Sequence, residues 1–186
     1  MLAALSLLVV AWPAHLTTTL GGVNVERTAL DRVCRFDPNS KFFLYASAEC
    51  DGGHRSITLT RDRRMVEAQG FDTTRFGRKP QFEGAAQITN AALKLQAGNG
   101  IAIGMTKSAV LKKLGKPART AVRGAKKQYW CALYKKLNGT REDGVILRNT
   151  YIFKEDKLIE MSLNLDSVPG CGEDSISDQG WPWSKF

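Results

Sequence analysis

Between residues 158 and 165, Ile159, Met161, Leu163 and Leu165 alternate with Glu160, Ser162 and Asn164. A period of two predicts a strand with one face buried and one in water, as in an antiparallel sheet covered on one side. Residues 145–153 (VILRNTYIF) and 128–134 (QYWCALY) are rich in β-branched and aromatic side chains and predict two further strands. Asn138-Gly139, Asp143-Gly144 and Glu155-Asp156 supply the turns between them. Upstream the period changes. Val110, Leu111 and Leu114 form one stripe of a helix over residues 107–114, with Lys112 and Lys113 facing solvent. Thr106 is suited to cap its N-terminus, because a hydroxyl can accept a free first-turn N–H. Gly115 can end the helix in a left-handed conformation, and Pro117 prevents its continuation. The predicted unit is a helix followed by a three-stranded meander.

The N-terminal half is patterned less sharply. Val25, Ala29, Leu30 and Val33 follow helical spacing and predict a short helix over residues 25–33. Asp37-Pro38-Asn39-Ser40 is turn chemistry, followed by predicted strands at 41–49 (KFFLYASAE) and 56–60 (SITLT) around Asp51-Gly52-Gly53. Met65 and Val66 suggest a third strand. Residues 70–86, with three glycines and Pro80 among scattered charges, predict a loop or seam. The expected fold class is α+β, with helices packed on one face of an antiparallel meander sheet. A helix plus three strands builds the C-terminal unit, and the N-terminal half is mostly β. Residues 1–14 are expected as a signal peptide, 15–24 as a linker, 25–90 as an N-terminal mostly-β subdomain and 91–186 as a C-terminal α+β subdomain with a tethered tail.

Gly104-Met105-Thr106, Val110, Leu114-Gly115-Lys116-Pro117, the aromatic strand after them and Ile152-Phe153-Lys154 with Leu158-Ile159 resemble the BamE/SmpA/OmlA lipoprotein family over about residues 100–166. Domains like β-lactamase-inhibitor protein share that fold. The resemblance implies a structural or binding module of the bacterial envelope, in some members an inhibitor of a secreted enzyme, with no catalytic residues to carry over. It departs from the lipoproteins in one respect. Asp31-Arg32-Val33 before Cys34, the first cysteine, is no lipobox, so lipid anchoring is not implied.

Composition adds a compartment. Residues 1–14 (MLAALSLLVVAWPA) hold an apolar run too short to span a bilayer but of the length of a signal-peptide core, with imperfect cleavage sites at Val9-Val10-Ala11 and Trp12-Pro13-Ala14. Four cysteines, two in each half and without a C-x-x-C, suit disulfides better than zinc or thiol redox chemistry. Of the three pairings, Cys34–Cys50 with Cys131–Cys171 closes the shortest loops, each contributing about 3–4 kcal/mol on a chain-entropy basis. A periplasmic or secreted location follows as the expectation.

Charge changes the picture most. The net charge of +9 is concentrated between residues 107 and 136, where Lys107, Lys112, Lys113, Lys116, Arg119, Arg123, Lys126, Lys127, Lys135 and Lys136 occur without one Asp or Glu. Such a segment attracts anionic partners: phosphate-bearing lipids, acidic polymers or an acidic protein face. Nucleic acid is disfavoured by the expected compartment and by the lack of any recognition motif. Trp130 and Tyr134 share one strand face and, with Trp181 and Trp183 in the tail, are candidate aromatic anchors, although rings at such positions more often belong to a core or cap a sheet edge. His54, beside Cys50, makes a Cys–His nucleophile pair conceivable, but a lone turn histidine is the plainer reading. No catalytic set, metal site or cofactor motif stands out. The expected function is a non-enzymatic envelope module with a basic face for an anionic component or protein partner; the alternative is a proteinaceous inhibitor of a secreted hydrolase.

Overall fold

A computed structural model describes residues 12–26, 33–49, 53–74, 87–123, 129–140 and 144–167. Ten strands and two short helices follow in chain order: β1 (Thr19–Leu20), β2 (Val23–Asn24), β3 (Val33–Asp37), β4 (Phe42–Glu49), β5 (His54–Thr60), α1 (Arg63–Ala68), β6 (Gln87–Asn90), α2 (Lys107–Leu114), β7 (Arg119–Arg123), β8 (Tyr129–Asn138), β9 (Val145–Lys154) and β10 (Lys157–Ser167). Eight strands form one sheet in the order β6-β3-β4-β5-β10-β9-β8-β7. Among the described strands only the β3–β6 pair is parallel. The stretches expected as two subdomains therefore contribute to the same sheet, joined where β5 meets β10 from Met161↔Leu59 to Asp166↔His54.

The α+β expectation is overturned. The protein is mostly β, and its two short helices lie on opposite faces of the mixed sheet. Three strands of the large sheet escaped the periodicity reading for a physical reason. β3, β6 and β7 are four or five residues long, and their sequences VCRFD, QITN and RTAVR carry little apolar alternation. The expected 25–33 helix falls partly outside the described residues, and Val33 begins β3. The strand expected at Met65-Val66 is α1, where Asp62 caps the first turn by accepting from the Arg64 N–H at 3.0 Å.

The meander formed as its turns predict. Glu155 and Asp156 take positive φ (50° and 63°), giving the two-residue hairpin whose twist matches its strands. Ile159 is the extra residue of a bulge in β10, after which Met161 and Leu163 face one side with Leu147, Tyr151, Ile57 and Leu59. α2 closes that side with Val110 and Leu114. Its ends are as expected: Thr106 Oγ1 accepts from the Ala109 N–H at 3.2 Å, and Gly115 has φ 78°. Tyr134 Oη then donates to the Gly115 carbonyl at 2.8 Å, seating the helix C-terminus on β8.

The expected linker is part of this core. Gly21 and Gly22, both at positive φ, turn β1 into β2 as a two-residue hairpin, and Leu16, Leu20 and Val25 are buried with the apolar face. The strap is fastened by Asn149, which projects into the apolar face of β9. Its Oδ1 accepts from the Thr17 N–H at 2.7 Å and its Nδ2 donates to the Thr17 carbonyl at 3.0 Å. Gly98 runs so close that a Cβ there would meet Thr17 Oγ1 at 2.6 Å.

Two stability effects follow. Asn149→Ala leaves a buried N–H and C=O of Thr17 without partners and should cost about 2–4 kcal/mol in urea denaturation. Replacing Glu155-Asp156 by Asn-Gly should raise stability by about 1 kcal/mol in the same assay, since both positions already adopt the left-handed conformation.

Candidate functional site

The second face of the sheet is polar at its centre. Ser47, Thr58, Thr60, Thr150, Glu160, Ser162 and Asp166 are all buried on β4, β5, β9 and β10. The alternation in β10 is therefore a true strand signal, but Glu160 and Ser162 of its polar half are enclosed and Asn164 is half-buried. Ser47 and Ser56 share a hydroxyl hydrogen bond at 2.8 Å, and Thr60 Oγ1 donates to Glu160 Oε2 at 2.5 Å. Asp166, 1 % exposed, lies between His54 and Arg148 and accepts from both, His54 through Nδ1 and Arg148 through Nη1. Their side chains are 30 % and 12 % exposed, so this carboxylate is desolvated and its charge is balanced within the protein.

The sequence neighbours of His54 predict a lone turn histidine, and the partner is illegible there because 112 residues separate the two. His54 opens β5 directly across from Asp166. A carboxylate-oriented imidazole is two-thirds of a nucleophilic relay. Cys50, the nucleophile that would complete a Cys–His pair, lies outside the described residues. With Arg148 sharing the carboxylate, the arrangement acts as an electrostatic staple across three strands.

Each expected disulfide has one cysteine among the described residues. Cys34 is a buried thiol on β3, and its expected partner Cys50 lies outside the described residues. Cys131 is buried beside Leu133 on β8, and its expected partner Cys171 lies outside the described residues. Burial pushes the Cys34 thiol from its ordinary 9.0 to about 12. Burial likewise raises the Tyr45 and Tyr134 phenols to about 12.

The basic segment assembles at the other end of the sheet. Lys107, Lys112 and Lys113 lie on α2, Lys116 in the turn after it, Arg119 on the outermost strand β7, and Lys135 and Lys136 on the neighbouring β8. Lys112, Lys113, Lys116, Lys135 and Lys136 are exposed. Lys113 Nζ also donates to the Gly100 carbonyl at 3.2 Å. Lys126, Lys127 and the side chain of Arg123 lie outside the described residues. Trp130 is half-buried against Phe153, with Lys107 Nζ 4.9 Å from its ring centre, so this ring is packed and holds a cation of the basic face. Tyr134 is 2 % exposed and cannot serve as a surface anchor. Trp181 and Trp183 lie outside the described residues.

What these features define is a mostly-β protein with a mixed eight-stranded sheet, a buried polar seam and a cationic edge. Compared with known protein families, curated proteins and solved structures, the chain finds no match in any of the three. Among the described residues no helix is long and apolar enough to cross a membrane, and no three metal-ligating side chains cluster.

Alkylation mapped to Cys34 should be absent in the native protein at pH 8 and appear on unfolding without reductant; modification only after reduction would restore the disulfide. The sign of the pH effect follows from the raised value. The contribution of the neutral Cys34 thiol is fully present below pH 9 and is lost as pH rises through about 12.

Proposed function

We propose that this chain is an exported, non-enzymatic binding module of the bacterial envelope, whose basic α2–β7–β8 face docks on an anionic component or protein partner. The observation that carries this reading is the gathering of seven cations at one end of the sheet: Lys107, Lys112 and Lys113 on α2, Lys116 in the turn after it, Lys136 on the α2-bearing side of β8, and Arg119 and Lys135 on the opposite side of β7 and β8. The sequence between them holds no carboxylate, so their local field is not cancelled by neighbours in the chain. Across the rest of the chain, seventeen basic residues nearly balance eighteen acidic ones, which makes this end the attractive pole of the molecule.

Export rests on the apolar N-terminal run. Trp12 supports the earlier of the two cleavage sites. Its indole packs on the core and donates from Nε1 to Glu26 Oε1 at 2.7 Å, a contact that cleavage after Ala14 would remove. N-terminal sequencing of exported protein should accordingly begin at Trp12.

The binding reading is tested by sedimentation with phosphatidylglycerol-containing vesicles and by retention on immobilised polyglutamate, each at stepped salt. Lys112→Gln with Lys116→Gln should weaken binding about 10–30-fold, since each cation near an anionic surface contributes about 1 kcal/mol. Raising salt should weaken it further. Binding to both probes that ignores salt and these substitutions would refute the basic face as the working surface.

A further inference from the structure

We infer that the outer edge of β7 is a strand-addition site for an extended acidic peptide of a partner protein, an inference that rests on the basic-face reading above. β7 ends the sheet, and among the described residues no strand pairs with its outer side. Its register against β8 runs without a shift from Arg119↔Leu133 to Arg123↔Tyr129. Neither a proline nor a bulge interrupts it, although both are common ways of blocking an edge. An antiparallel strand paired on one side alone turns half of its N–H and C=O groups outward, where a further strand can engage them.

The side positions specify what would fit. Val122 is 52 % exposed and is the large hydrophobic residue the described surface leaves most open. It lies across from Trp130, on the α2-bearing face with Thr120. The register puts positions 119, 121 and 123 on the other face. A second copy of β7 is a poor occupant. Antiparallel self-pairing centred on Ala121 would set 119 opposite 123 twice, placing like charges directly across the ladder. An incoming strand with acids four residues apart and an apolar β-branched residue beside each of them on the inner side meets the opposite condition. Its acids face 119 and 123, its apolar side chains cover Thr120 and Val122, and exposed Lys116 and Lys135 extend the positive field beyond one end of the strand.

The test uses the full chain and a fluorescent peptide containing Glu-Val-Thr-Val-Glu, with binding read by anisotropy. Two derivatives carry N-methyl groups on one or the other set of alternate residues. Strand addition requires that one derivative lose more than about tenfold in affinity while the other binds like the parent, because only one set of amides faces β7. Hydrogen exchange should show new protection at 119–123, and the Lys-Val-Thr-Val-Lys analogue should not bind. Equal binding by both derivatives would overturn strand addition while leaving the basic face intact as an anion site. Failure of the parent peptide, with anionic vesicles or polyglutamate still bound, would do the same; failure of every anionic probe would remove the basic-face reading as well. Peptide binding that appears only after residues 172–186 are deleted would overturn the inference by assigning the edge to the chain's own acidic tail. Competition by a concentration-dependent dimer would assign it to a second copy.

Discussion

The antiparallel pairing of β5 with β10 holds the two halves of the chain in one sheet. It brings His54–Thr60 against residues 100 or more positions later, so a long loop must be closed before any of its contacts form. β3, β4 and β6 reach the meander only through this seam, and the apolar residues on both sides of it, Ile57, Leu59, Met161 and Leu163, form the middle of the core. Folding governed by so distant a pairing is expected to be slow for the chain's size.

The seam is apolar on one face and polar on the other, and that asymmetry sets its register. A slip of one residue would turn Glu160, Ser162 and Asp166 into the apolar core and put Met161 and Leu163 among buried hydroxyls. The bonds from Asp166 to His54 and Arg148, and from Glu160 to Thr60, can be made in one alignment alone. Buried ion pairs are poor sources of net stability. Here they discriminate between alignments. On the opposite face Asn149 plays a related part, since a single amide satisfies both backbone groups of Thr17 and so positions the N-terminal strap over the core.

The basic segment was legible as charge and illegible as shape. Ten cations in a thirty-residue span without a carboxylate are visible in any reading of the chain. That Arg119 sits on an edge strand was not, because RTAVR shows almost no apolar period and β7 exists only by pairing with β8. Tyr134 shows the reverse error. Its strand was predictable, but α2 seals the face it occupies, and the ring that looked like an anchor is core.

Local chemistry determined α2 and its two caps, the β8–β10 meander and the tight turn at Glu155-Asp156, because each depends on residues within a few positions of one another. Tertiary structure alone decided that the Gly21-Gly22 stretch is a strap and no linker, that helices lie on both faces of a mostly-β sheet, and that His54 is bound to Asp166. The strap and the His54 pairing rest on partners 75 to 132 residues away, such as Gly98 N–H on the Thr19 carbonyl or Asn149 on Thr17, and the seat of α1 rests on strands on either side of it in sequence; no periodicity within a segment records such partners.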